Sequence, residues 1–345
     1  MPNLVHPRFT QRNAFRPALL AWYSKHGRDL PWRHTRDPYA ILVSEFMLQQ
    51  TQVATVLSYY SEWLRRFPNF DSLAAASESD VLRAWEGLGY YARARNLHTT
   101  AKAVVSRGGT FPNSIEQMRQ LPGLGRYTAN AIATFAFDQP VAVVEANIAR
   151  VLARLTNLQW PIDSAAGAAK VWQIASQLVP KRDAHAYNSA LMDLGALVCV
   201  ARQPRCPICP VRGFCHAVDP ADLPRKRRLP ALRLLKEHHS LTIHRGHILL
   251  EQSQDRWRGM WILPRLAAAP PRERPLYTSE FPFTHHRITL AVFRKRSVPA
   301  MPPAAQSWFP IHSVAILPLP SPHRRAVSYL LAPKAQKLCS TSAAP

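Results

Sequence analysis

Residues 114–137 read SIEQMRQLPGLGRYTANAIATFAF, and this stretch decides the fold. Ser114-Ile-Glu-Gln117 has the form of a capping box, in which the first and last side chains satisfy free backbone amides at a helix start. Leu121-Pro-Gly-Leu-Gly125 follows as a tight turn, and the run from Arg126 to Phe137 reads as a second helix. Glycines at 123 and 125 let the backbone turn sharply and bring its N–H groups against a phosphate, where the start of the second helix adds partial positive charge. The stretch therefore predicts a hairpin that positions a duplex without reading its sequence, with Leu121, Gly123 and Gly125 at the contact. An ordinary αα-turn also favours glycine, so the five-residue pattern alone leaves both readings open.

Around the hairpin the periodicity is helical. Val53, Val56, Leu57, Tyr60, Trp63, Leu64 and Phe67 recur at steps of three and four, as one buried helix face does. Asp37-Pro38 is a helix start, and Ile148, Val151, Leu152 and Leu155 repeat the pattern later. The 345 residues have room for two domains, and proline marks the seam: 15 lie in residues 1–222 and 16 in the remaining 123. Residues 1–222 are predicted as a mainly α-helical domain. Leu223-Pro-Arg-Lys-Arg-Arg-Leu-Pro230 has no periodic apolar face and reads as an exposed basic linker, assigned to 223–236. Runs with β character at 240–250 and 288–294 predict a smaller α/β or β-rich domain at 237–331. Residues 332–345 read as a disordered tail carrying the fifth cysteine, Cys339.

The 44 Lys and Arg against 21 Asp and Glu leave a net charge of +23, spread along the chain. Such a surface gains affinity for a polyanion by counterion release, which makes nucleic acid the first partner to expect. A membrane surface would use the same charge, but no stretch of about 18 apolar residues can span a bilayer, so no membrane partner is expected. Keeping the protein in solution is a third use of the charge.

Four of the five cysteines form a tight run, Cys199-x6-Cys206-x2-Cys209-x5-Cys215, after an apolar stretch at 190–198. That compactness, stiffened by Pro207 and Pro210, suits a [4Fe-4S] cluster held by four thiolates. Structural zinc is the rival, although its sites usually place two Cys-x2-Cys pairs well apart. Disulfides need an oxidising compartment, and the first ten residues hold no apolar signal core.

Taken in order, the motifs resemble helix-hairpin-helix DNA glycosylases, and within them adenine glycosylases of the MutY type. The resemblance covers about residues 15 to 222. It runs through Arg28-Asp-Leu-Pro-Trp-Arg33, Asp37-Pro-Tyr39, Ser44-Glu-Phe-Met-Leu-Gln-Gln-Thr-Gln-Val53, Gly87-Leu-Gly-Tyr-Tyr91, Ala94-Arg-Asn-Leu-His98, the hairpin and the cysteine loop. It implies two helical subdomains, a six-helix barrel and an iron-sulfur module, with DNA and a flipped base held in the cleft between them. It also implies a monomer in the cytosol or nucleoid, acting on double-stranded DNA with adenine opposite 8-oxoguanine or guanine.

The resemblance assigns roles in the cleft. Base excision needs a proton on the leaving base and a negative charge beside the oxocarbenium-like sugar. Glu45 matches the family's general acid, and its neighbours Phe46 and Met47 are placed to raise its pKa. The second carboxylate departs from the pattern: Val144-Glu-Ala-Asn-Ile148 carries Glu145 where the superfamily has Asp. One extra methylene moves the group by roughly 1 Å, enough to cost about a hundredfold in rate unless a folded-back rotamer or shifted helix recovers it. Asn147 matches the family's Asn near the sugar or water. Tyr127 stands where bifunctional relatives carry a Schiff-base Lys, which implies a monofunctional enzyme, its hydroxyl bonding the second carboxylate. Leu48, Gln50 and Tyr90 match residues that wedge into the duplex, and Arg28, Trp32 and Arg33 match the adenine side of the pocket.

In the second part, Asp255-Arg-Trp-Arg-Gly-Met-Trp-Ile-Leu-Pro264 and Phe283-Thr284-His285 resemble segments of the family's Nudix-like C-terminal domain. The latter matches its loop for 8-oxoguanine. The domain has no box of clustered Glu residues, so phosphohydrolase chemistry is not expected. About 20 residues between Pro264 and Phe283 leave little room for a strand and a helix. Two rivals remain: a superfamily glycosylase for thymine or uracil opposite guanine, and a lesion-binding protein that has lost turnover through Glu145.

Overall fold

Asp37 starts the helix that carries Glu45. Its carboxylate accepts from the amides of Tyr39 and Ala40, and Pro38 takes the first helical position, where the absent N–H is not needed. The structure is a computed structural model describing residues 12–228, 230–299 and 301–332. The predicted tail beyond residue 332, with Cys339, and the first ten residues lie outside the described residues. In chain order the helices are α1 (Arg12–His26), α2 (Pro38–Leu48), α3 (Val53–Arg66), α4 (Phe70–Ala75), α5 (Glu78–Ala84), α6 (Ala92–Ser106), α7 (Ile115–Met118), α8 (Arg126–Phe137), α9 (Ala146–Leu155), α10 (Ala165–Leu178) and α11 (Ala184–Leu197). Strands β1 (Arg233–Leu241), β2 (Ile243–His244), β3 (His247–Gln252), β4 (Trp261–Ile262), β5 (Arg265–Leu266), β6 (Tyr277–Phe283), β7 (His286–Arg294) and β8 (Gln306–Pro310) precede a last helix, α12 (Ser321–Leu331).

The chain divides into two units, one built from 1–71 and 99–228 and the other from 72–98 and 229–345. The first unit is helical. Its central helix, α2, is buried from Tyr39 to Met47 and packs on α3 and α8. On α3 the periodic face buries Val56, Tyr60 and Trp63, each worth roughly 1.5–3 kcal/mol of apolar burial, whereas Leu57 stays partly exposed. The indole of Trp63 donates to the Tyr39 hydroxyl, which donates in turn to the Phe67 carbonyl. Helix α9 buries Ile148, Val151, Leu152 and Leu155 as expected, and it also buries Arg150 and Arg154.

The hairpin forms. Ser114 caps α7 through the Gln117 amide, and Gly123 adopts φ 77°, the left-handed conformation that glycine tolerates. Gly125 caps α8 in an extended conformation and is exposed, with open space around its Cα. Leu121 and Leu124 point inward and are each 3% exposed. The Leu121 side chain is thus packed in the hairpin core, which leaves its backbone as the part facing outward.

The basic stretch after residue 222 is tethered rather than free. Leu223 is buried and its carbonyl accepts from Arg154, the Arg225 carbonyl accepts from the Ile162 amide, and the Arg227 amide donates to Asp163. The side chains of Arg225, Lys226, Arg227 and Arg228 are exposed, as the composition predicts.

The second unit contains two small sheets. One has the order β5-β1-β7-β6, with β1 and β7 parallel and the other pairs antiparallel; in the other, β3 pairs with β2, β4 and β8. Ile288, Leu290 and Val292 of β7, Ile248 to Leu250 of β3, and Ala326, Val327 and Leu330 of α12 supply its core. Between Pro264 and Phe283 the chain makes only β5 and β6 and no helix, in line with the short spacing. The architecture is thus a helical domain accompanied by a smaller α/β domain.

Candidate active site

Glu45 sits in the last turns of α2 and is 5% exposed. Burial pushes its carboxyl up to about 7, the Tyr127 hydroxyl pulls it back, and the nearby charge of Glu145 adds to the rise. Tyr127, in the first turn of α8, donates to Glu45 Oε2 at 2.7 Å. The resemblance implies Glu145 as the partner of that hydroxyl. The hydroxyl goes to Glu45 because α2 and α8 pack directly, which sets the start of α8 against the Glu45 side chain.

Glu145 is the N-cap of α9. One carboxylate oxygen accepts from the Asn147 amide at 2.7 Å and the other from the Ile148 amide at 2.8 Å. The longer side chain curls back to cap its own helix, a job usually done by a shorter Asp. Burial raises its pKa, opposed by those two amides and by the charges of Arg150 and Arg28. Asn147 Oδ1 accepts from Arg150 at 2.7 Å, and Arg150 also donates to the carbonyls of Gly195 and Cys199. Gly195 permits this approach of α11 to α9, since a Cβ there would lie 2.6 Å from Asn147 Cβ.

A cavity of about 590 Å³ in the first unit is lined by Arg28, Trp32, Arg33, Glu45, Leu48, Gln50, Tyr127, Glu145 and Asn147. These are nine of the residues singled out from sequence. Gln50, just beyond α2, is exposed and has φ 58°. Trp32 is buried edge-on against Tyr60. The two arginines converge on a residue that sequence reasoning missed: Asp193, on α11, accepts from Arg28 Nε at 2.7 Å and from both terminal nitrogens of Arg33 at 2.6 and 2.7 Å. Burial alone would raise its pKa, but Arg33 and Arg28 hold it below the usual range. The one available signal was an acid inside an apolar stretch, Ala190-Leu-Met-Asp-Leu194. His185 was missed too; burial and the charge of Arg36 push it down to about 4, so it lines the cavity as a neutral ring.

Tyr90, Phe283, Thr284 and His285 belong to the second unit. Tyr90 is 46% exposed with φ 47°. Thr284 and His285 are the exposed tip between β6 and β7, while Phe283 is half-buried with Arg256 over its ring at 4.6 Å.

The four cysteines line a separate cavity of about 410 Å³ in the first unit. Two 3₁₀ turns, Cys206–Ile208 and Arg212–Phe214, shape the loop, and Cys209 is pushed up to about 11, by burial first and then by its cysteine neighbours. Arg154 Nη1 reaches Cys199 Sγ at 3.3 Å. Among the described residues, no three His, Cys, Asp or Glu side chains converge on a single ion.

The model of the HhH-GPD superfamily of base excision DNA repair proteins matches residues 43–177. An adenine DNA glycosylase of Mus musculus is 41% identical over 273 residues, 75% of this chain and 53% of that protein. One of Mycobacterium tuberculosis is 46% identical over 219 residues, 61% of this chain and 70% of that protein. A solved thermostable thymine-DNA glycosylase is 30% identical with a TM-score of 0.55, covering 60% of this chain and 96% of that one. The chain belongs to the adenine DNA glycosylase family of the HhH-GPD superfamily. It spans about half the length of the mouse relative.

Proposed function

We propose that this protein binds double-stranded DNA and hydrolyses the N-glycosidic bond of adenine opposite 8-oxoguanine or guanine, leaving an abasic site. The observation that carries the reading is a buried carboxyl, Glu45, with a pKa of about 7, in a cavity it shares with a second carboxylate. A carboxylic acid near neutrality keeps a proton for the leaving adenine at physiological pH, and Tyr127 holds it in place. Both oxygens of Glu145 are engaged by helix amides, which suits a fixed negative charge beside the oxocarbenium-like sugar. Water then adds at the sugar carbon that the base has left, and Glu145, as general base, takes the proton the water gives up. Asn147, which lines the same cavity, orients that water or the sugar. No lysine is among the lining residues of the cavity, which favours hydrolysis over a Schiff-base route that ends in strand cleavage.

Leu48 and Gln50 serve as wedges from the first unit, while Tyr90 and the Phe283-Thr284-His285 tip contact the base opposite adenine. The hairpin at Gly123 and Gly125 grips phosphate. Cys199, Cys206, Cys209 and Cys215 line one cavity and, with their compact spacing, suit a [4Fe-4S] cluster. Bound there, the cluster would crosslink the loop that exposes Arg202, Arg205 and Arg212 toward DNA. The protein acts as a monomer in the cytosol.

Single-turnover assays on duplexes with A opposite 8-oxoguanine, A opposite G and T opposite G test the reading. Adenine release from the first two and none from the third is expected, with no borohydride-trapped adduct. Release of thymine, as the structural relative at 30% identity would suggest, or tight binding without any release, overturns it.

A further inference from the structure

Residues 72–98 form one unit with the C-terminal part of the chain, and the contacts inside that unit are specific. Arg324 of α12 grips Glu86 with a two-pronged ion pair, Nε to Oε1 at 2.7 Å and Nη2 to Oε2 at 2.9 Å, with side chains only 20% and 11% exposed. The same guanidinium donates to the carbonyls of Val314 and Leu317, so it is held at both ends. Arg95 donates to the Arg258 carbonyl, and Gly259 approaches α5 so closely that a Cβ there would lie 2.8 Å from Glu78 Oε1.

Glu86 is followed directly by Gly87-Leu-Gly-Tyr90. Gly87, Gly89 and Tyr90 all have positive φ, at 105°, 69° and 47°. A tyrosine holds that backbone only where its surroundings dictate it. Here Arg93 donates to the Leu88 and Gly89 carbonyls and lies against the Trp85 and Tyr90 rings, and the Trp85 indole donates to the Gly89 carbonyl. The loop is shaped in advance and leaves the Tyr90 ring exposed.

We propose that the Glu86–Arg324 pair is a clamp that fixes the Tyr90 loop to the C-terminal domain, so that Tyr90 and the Phe283-Thr284-His285 tip engage the base opposite adenine as one rigid element. Arg324 is a positioning residue: it touches no substrate and acts through Glu86. The proposal rests on the glycosylase reading above. It deepens that reading by naming what couples lesion recognition to wedging. Arg83 also donates to Glu86 Oε2 at 2.8 Å, so Glu86 keeps a charge partner when Arg324 is removed; what is lost is the two-pronged tie between Glu86 and α12, and that loss loosens the loop.

The test compares wild type with Arg324→Met, which keeps an apolar stem, on two readouts. One is the fluorescence of 2-aminopurine placed next to 8-oxoguanine in a duplex carrying a non-hydrolysable adenosine analogue, which reports unstacking beside the lesion. The other is the ratio of single-turnover adenine release from the 8-oxoguanine and guanine mispairs. Arg324→Met is expected to lose most of the fluorescence rise and to cut the ratio at least fivefold, with release from the guanine mispair within twofold of wild type. Unchanged fluorescence and ratio, or an equal loss on both duplexes, overturns the clamp. If Arg324→Met does not fold, Glu86→Gln carries the same comparison. Absence of adenine release by wild type would overturn the glycosylase reading instead, and the fluorescence arm would still decide the clamp.

Discussion

At the scale of single residues, the proposed chemistry depends on where the Glu45 proton resides. Tyr127 donates to Glu45 and so favours its ionised form. Tyr127→Phe should move the basic limb of the rate–pH profile upward, and a limb that stays put or moves down would remove Tyr127 from this role. The folded-state pKa of Glu45 is raised from 4.5 to about 7, so its contribution to stability is fully present below 4.5 and is lost as the pH rises through 7. Glu45→Gln should therefore raise stability at pH 8, by up to about 3 kcal/mol in denaturant unfolding, while abolishing base release. Glu45 was legible because a dense motif surrounds it. The partner of Tyr127 was not, since sequence spacing says nothing about which of two carboxylates an adjoining helix will face. Asp193 was invisible for the same reason: its two arginines lie more than 150 positions away in the chain.

Among the elements, the hairpin and the start of α2 were readable because their determinants are local: a capping Ser or Asp, a proline at the first helical position, and glycine where φ is positive. Gly123→Ala puts a Cβ on a left-handed residue and should cost about 1–2 kcal/mol of stability, while weakening DNA binding equally for matched and mismatched duplexes. A loss confined to mismatched DNA would contradict the phosphate-gripping role. The stretch at 223–227 exposes its basic side chains as its composition predicts, but its backbone anchors, Arg154, Ile162 and Asp163, were not legible because they are distant in sequence. Helix α9 shows the limit of periodicity in another way: two arginines share its buried side, each satisfied by carbonyls of the 194–201 region. For the cysteine loop, iron rather than zinc should accompany the purified protein, and Cys206→Ser should release it. Zinc at one equivalent with no iron would contradict the cluster.

Over the whole molecule, the net charge of +23 predicts DNA affinity that falls steeply with salt. Replacing Arg202, Arg205 and Arg212 by Ala should reduce the slope of log affinity against log salt by about 0.9 for each arginine that meets a phosphate. An unchanged slope would move the DNA away from the cysteine loop. The two-domain plan was legible from composition, because the proline density doubles where the helical periodicity stops; the joining of 72–98 to the C-terminal part was not, because no composition change marks it. The central claim, that a protonated Glu45 drives adenine release, is tested most directly by the pH dependence of single-turnover release from an A opposite 8-oxoguanine duplex. The account predicts a rate that falls about tenfold per pH unit above roughly 7, and no release by Glu45→Gln at any pH although it still binds. A rate that stays level to pH 9, or a Glu45→Gln variant that releases adenine normally, would contradict it.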